Sequence, residues 1–177
     1  MDTLQLSPIP GSDLIESKAR IVIQQCVSAR VQLQSPVEGG SVDFVEIKKG
    51  IVVYVCFLKE CSKELLNRMA HVVLHVRYLK DAHGSRVSVL ELPGDVLIVP
   101  QSTLGGIRKK RHLTYHYNVN KEDAHEMYKE FVSLCRRGVE ENVRHQCQVR
   151  CGQYNSKQEG MLVESGECGL MTHLVEF

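Results

Sequence analysis

Two stretches of the chain hold the residue types best suited to chemistry. The first is Val99-Pro100-Gln101-Ser102-Thr103-Leu104-Gly105-Gly106, which follows an apolar run and leads into Ile107-Arg108-Lys109-Lys110-Arg111-His112. A loop at the end of a buried strand can turn its main-chain N–H groups toward an oxyanion. Its glycines let a bulky ligand approach the backbone, and a following block of cations can hold phosphate, so an RNA end fits these parts. The same residues support a plainer reading, in which Ser102 and Thr103 satisfy turn amides and Arg108, Lys109, Lys110 and Arg111 form a solvated loop. Spacing alone leaves both open.

The second stretch is Ser165-Gly166-Glu167-Cys168-Gly169-Leu170-Met171-Thr172-His173, by composition a turn entering a C-terminal strand. A Thr103 nucleophile would need a neighbouring base, for which His112, His116 and His173 are the candidates. His145, Cys147, Cys151 and Cys168 offer soft metal ligands. Cys147 and Cys151 share one face of an expected strand yet stand too far apart along it to chelate without a bulge. No metal and no other cofactor is expected.

These stretches sit in a chain of 177 residues, 43% apolar, enough for one core. With a formal charge of +1, a polyanionic partner must be met by a local patch, not a long-range field. Seven cysteines, an odd number, and no basic-then-apolar leader point to reduced thiols and a cytoplasmic protein. No apolar run approaches the roughly 20 residues a bilayer requires, so no membrane partner is expected, and none of DNA.

The elements that must position the two stretches are legible in the apolar periodicity. Residues 1–18, with Pro8, Pro10 and Gly11, read as a flexible extension before a domain over 19–177. Ala19 to Leu33 reads as a long or bent strand, and Val42 to Ile47 and Ile51 to Phe57 as a hairpin about Lys48-Lys49-Gly50. Ser62 caps a helix with Leu65, Leu66, Met69, Val72, Val73 and Val76 on one face, and Asn120 caps a second that stops at Gly138. Strands are expected at Val87 to Leu90, Val96 to Val99, Gln148 to Cys151, Met161 to Glu164 and Thr172 to Phe177. The sum is one α+β domain with a mixed, barrel-like sheet and two main helices.

Several strings in order carry a likeness to a known family. They are Gln24-Gln25-Cys26-Val27-Ser28-Ala29-Arg30, Val53-Tyr54-Val55-Cys56-Phe57, the run from Leu92-Pro93-Gly94-Asp95 to Leu104-Gly105-Gly106, Glu126 to Val132, and Thr172 to Phe177. From about residue 19 to Phe177 the chain resembles the D-aminoacyl-tRNA deacylase family, most of all its animal branch, which removes L-alanine misloaded on threonine tRNA. The resemblance implies a homodimer of barrel-like subunits that binds the acceptor end of aminoacyl-tRNA between the Gln101 to Leu104 loop and the Gly169-Leu170 loop, near the subunit interface. It implies catalytic roles for Gln101, Ser102, Thr103, Gly169 and Leu170, with Pro100, Leu104, Gly105, Met171 and Thr172 around the substrate and Arg108 to Arg111 on the tRNA. It also implies ester hydrolysis without a side-chain nucleophile, with the ribose 2′-hydroxyl assisting water while main-chain groups position the aminoacyl unit.

The chain departs from that family in one place. Relatives carry Gly-Pro where this chain has Gly169-Leu170. A non-proline cis bond costs roughly 2.5 to 4 kcal/mol, so a trans peptide and the roomier animal-type pocket are expected. Gln25 stands where the D-specific branch has an arginine, which points the same way. A second reading, a tRNA-binding homologue that lost turnover through Leu170, is distinguished by whether amino acid is released from bound tRNA.

Overall fold

The alternating residues from Ala19 onward build one strand with a break. In the computed structural model, which describes residues 16–33, 43–142, 147–154, 160–168 and 171–177, β1 (Ala19–Cys26) and β2 (Ser28–Gln32) part at Val27. β3 (Phe44–Ile47), β4 (Gly50–Phe57), α1 (Lys63–His75), β5 (Leu79–Lys80), β6 (Arg86–Val87) and β7 (Asp95–Pro100) follow. A 3-10 turn (Ser102–Gly105), β8 (Ile107–Lys109), β9 (His112–Thr114), α2 (Lys121–Glu140), β10 (Val149–Cys151), β11 (Met161–Glu164) and β12 (Thr172–Glu176) complete the order.

β1 and β2 pair antiparallel with β4 and β3 in an unbroken register that runs from Ala19↔Phe57 through Cys26↔Gly50 to Gln32↔Phe44. They are one long hairpin folded over at Val27 and at Lys48-Lys49. The hairpin expected between β3 and β4 therefore does not form: Lys48 and Lys49 make the bend, and β4 pairs with β1 and β7 instead. β4 is buried at seven of its eight positions, which suits a strand with a partner on each side and layers on both faces.

The main sheet has the order β10-β7-β4-β1-β12, with β7 parallel to both β4 and β10; β11-β2-β3 forms a second sheet. Both helices cover one face, packing Leu66, Met69, Val73, Phe131 and Cys135 against Ile21, Ile23, Ile51, Val53 and Val55. On the other face the second sheet folds back, enclosing Cys26, Ala29, Val31, Ile47, Val52, Leu97 and Val99. The expected α+β domain with a barrel-like bend is the fold observed.

Both helix starts follow their caps. Ser62 Oγ accepts from Leu65 N at 3.2 Å, and Asn120 Oδ1 accepts from Asp123 N at 2.9 Å. The second helix does not stop at Gly138, as expected, but runs to Glu140; Gly138 serves a close approach to α1. The strand expected over Val87 to Leu90 is confined to Arg86–Val87. Ser88 N donates to Glu91 Oε2 at 2.9 Å and Glu91 N to Ser88 Oγ at 3.3 Å, a capping-box exchange that turns the chain while Val89 and Leu90 stay buried.

Candidate active site

The first chemical stretch leaves the sheet at the end of β7. Gln101 N donates to Val55 O at 2.9 Å, after which Leu104 N donates to Gln101 O and Gly106 N to Thr103 O, both at 3.1 Å. These bonds wind Ser102 to Gly105 into the 3-10 turn, with Ser102 and Thr103 exposed, Pro100, Gln101 and Leu104 half-buried and Gly105 buried. Gln101 Nε2 donates to Thr103 Oγ1, tying the two side chains together on the outer surface.

Three side chains from distant segments hold the turn from within. Asn118 Nδ2 donates to Ser102 O at 2.8 Å, Cys56 Sγ stands 3.6 Å from the same oxygen, and Arg20 Nη1 donates to Leu104 O at 2.9 Å. Arg20 is itself braced by Glu176, Nε to Oε1 at 2.8 Å. Sequence reasoning missed this set because each member reaches the turn only through the fold. The one signal was type: an arginine and a cysteine inside otherwise apolar strands. The glycines also differ from expectation, since Gly105 faces Asn118 and Gly106 faces the Tyr115 ring instead of open space.

No activated nucleophile is built beside the turn. Burial pushes the Cys56 thiol up to about 11, only partly offset by the Gly105 N–H and by Arg20, so it is protonated at neutral pH. His116 Nδ1 lies 3.1 Å from Thr114 Oγ1, His173 packs against Tyr78, and His112 is on the following hairpin; the partner of Thr103 is Gln101. Among the described residues no group of three or more His, Cys, Asp or Glu is placed to hold a metal, and His145 lies outside them.

The basic run is a β-hairpin, which its composition did not reveal. β8 and β9 pair from Ile107↔Thr114 to Lys109↔His112, and Lys110 turns the chain at φ 56°, supported by Arg108 Nε donating to Lys110 O at 3.0 Å. Arg108, Lys109, Lys110 and Arg111 are exposed, and none takes part in the salt bridges among the described residues. Four exposed cations thus lie on the hairpin that directly follows the 3-10 turn.

The second stretch enters β12 as expected, but Gly169 and Leu170 lie outside the described residues. Met171 is half-buried and Thr172 exposed, and Met171 O accepts from Gln25 N at 2.9 Å. Gln25 is buried, its side chain bonded to both main-chain groups of Lys80. Through β1 and β4, Met171 lies level with Val96 at the start of β7, whereas Gln101 follows the end of β7. At about 3.3 Å per residue and 4.8 Å per strand, Met171 and Gln101 are roughly 20 Å apart across the sheet. Within one chain Met171 and Gln101 therefore lie toward opposite ends of the sheet, so a cleft that joins their two stretches requires a second copy of the chain, in keeping with a site near a subunit interface.

Comparison with known proteins agrees with this architecture. D-aminoacyl-tRNA deacylase 2 of Gallus gallus is 42% identical over 164 residues, covering 90% of this chain and 95% of the relative. The Homo sapiens protein of the same name is 41% identical with the same coverage. A solved structure described as a probable eukaryotic D-amino acid tRNA deacylase superposes with a TM-score of 0.74 at 25% identity, over 90% of this chain and all of the other. Residues 22–176 match the family model described as D-Tyr-tRNA(Tyr) deacylase, and the chain belongs to that family.

Proposed function

We propose that this protein is an aminoacyl-tRNA deacylase that proofreads translation by hydrolysing the ester between a wrong amino acid and the tRNA 3′ end. The observation that carries this is the Gln101 to Leu104 turn, exposed, pinned from inside at two carbonyls, and lacking any side-chain base–nucleophile pair. An aminoacyl ester is already activated. It needs an oriented water and a donor for the developing oxyanion, and rigid main-chain N–H groups supply the second without reorganisation. Water adds to the ester carbonyl, the C–O bond to the ribose breaks, and the ribose oxygen leaves as a hydroxyl; the neighbouring 2′-hydroxyl assists the attack.

A second copy of the chain completes the site in this reading. Met171 and Gln101 lie too far apart in one subunit for both to grip one nucleotide, so the residues leading into a partner's β12 would face the Gln101 turn in a homodimer. Arg108 to Arg111 meet phosphates of the acceptor end, their unpaired charge matching a polyanion. A cytosolic setting suits the six cysteines whose side chains are described, all free thiols. Among the described residues no helix is long and apolar enough to cross a membrane.

The decisive test is release of amino acid from matched D- and L-aminoacyl-tRNAs by the purified chain, alanyl-tRNA included, with light scattering for subunit number. Release from at least one charged tRNA, and a mass of two chains, would support the reading; retention of bound tRNA with no release would replace it by a binding role. Alanine at Lys109 and Lys110 should weaken tRNA binding and flatten its salt dependence, by a log–log slope of about 0.7 to 0.9 for each phosphate no longer neutralised.

A further inference from the structure

We infer that Asn118 is a positioning residue that aims the Thr103 N–H at the scissile ester carbonyl, a role that rests on the deacylase reading above. The main chain of Asn118 is fixed by its bridge to Leu58 and by its N–H donating to Tyr115 O at 3.0 Å. Its side chain therefore arrives at the 3-10 turn from a rigid support. Asn118 Nδ2 draws the Ser102 carbonyl inward at 2.8 Å, and Cys56 Sγ approaches the same oxygen at 3.6 Å.

The consequence follows from the planarity of the peptide. No cis bond occurs among the described residues, so the Ser102–Thr103 peptide is trans and its N–H points away from its C=O. Drawing the Ser102 oxygen inward sets the Thr103 N–H outward, on the exposed side where the substrate would stand. Without the Asn118 donor, the oxygen keeps only the Gly105 N–H of the 3-10 turn itself and the weak Cys56 sulfur contact, so nothing outside the turn but that thiol fixes the tilt of the peptide.

Gly105 provides independent support. A Cβ on Gly105 would lie 1.8 Å from Asn118 Oδ1, so the position must be glycine for Asn118 to reach the turn at all. Its φ is not in the left-handed range, so close approach is the constraint and backbone conformation is not. Asn118 and Gly105 act as one latch.

The test is steady-state deacylation by wild type, N118D, N118A, G105A and the N118A/G105A double variant, with thermal unfolding alongside. N118D keeps the shape and loses the donor. Because small misplacement of a reacting group can cost about a hundredfold, kcat should fall about tenfold or more with KM within about twofold. G105A should give the same kcat loss, and adding it to N118A should cost little more, since the latch is already open. Equal losses in kcat and melting temperature with a changed KM, strictly additive losses, or unaffected kcat in N118D beside an active wild type would each overturn the role of Asn118 alone. An inert wild type would remove the deacylase reading and this role together.

Discussion

Leu74 of α1 lies against Gly138 of α2 so closely that a Cβ on Gly138 would come within 2.5 Å of Leu74 Cδ1. The two helices carry one shared face onto the sheet, with Met69 and Val73 beside Phe131, Val132 and Cys135. Their separation is set by that contact. The only other nearby atom is the Leu74 Cγ at 4.0 Å, so the collision involves a side-chain end that can rotate. Alanine at 138 gains about 1 kcal/mol of helix propensity and should be close to neutral. Valine adds bulk that Leu74 cannot clear and should destabilise by about 1 to 2 kcal/mol. Urea unfolding of G138V in wild-type and L74A backgrounds checks this: the penalty should vanish once Leu74 is shortened.

Acid stability should report the Arg77–Glu91 pair. Arg77 Nε donates to Glu91 Oε2 at 2.9 Å and Nη2 to Oε1, and the Ser88 N–H adds a third donor. Arg77 first, then Ser88, hold the Glu91 carboxyl down at about 2. The folded value is below the unfolded value of about 4.3, so the stabilising term is fully present above pH ~4.3 and is lost as pH falls toward 2. Both groups are on the surface, so the effect is modest and salt-sensitive. E91Q should flatten the acid limb of a stability–pH curve below about pH 4.3 and leave the neutral region parallel to wild type.

Cys56 lies against the Ser102–Gly105 turn yet should behave as an inert thiol. Its folded value of about 11 exceeds the ordinary 9, so the stabilising contribution is complete below pH 9 and lost as pH rises through 11. Iodoacetamide at pH 7.5 should label Cys56 slowly in the native protein and rapidly in urea. Fast native labelling would reveal a thiolate there and reopen covalent catalysis.

Sequence made local facts legible and left partnership hidden, for a physical reason. The β-branched run Ile51 to Phe57 announces a buried strand, but apolar periodicity reports burial and not which strand lies alongside, so Lys48-Lys49-Gly50 looked like a hairpin turn when it is a bend. Gly138 looked like a helix stop because glycine serves both ends and crossings, and only the position of Leu74 decides between them. The Gln101 to Gly106 string was readable as chemical because its residue types cluster in the chain. Asn118 and Arg20 were not, because they converge on that string from different strands and loops. The separation of Met171 from Gln101 likewise follows from β12 running parallel to β7 three positions across the sheet, a matter of topology that no local pattern carries.

The remaining prediction concerns the turn before β12. The family likeness read from the sequence places proline where this chain has Leu170, and proline fixes φ near −65° and removes an N–H. Where its geometry is compatible, such a replacement narrows the unfolded ensemble and stabilises by about 0.4 to 1 kcal/mol. In the proposed dimer the residues leading into β12 would meet the partner's Gln101 turn, so a stiffer residue at 170 would bear on how often the site is assembled. Leu170→Pro should therefore fold normally, unfold at an equal or slightly higher temperature, and release amino acid faster than wild type at saturating tRNA. The comparison needs only single-turnover deacylation of one charged tRNA by the two proteins. A faster rate identifies loop order as the limiting property of this chain, whereas an unchanged or slower rate means that leucine is the residue its pocket is built around.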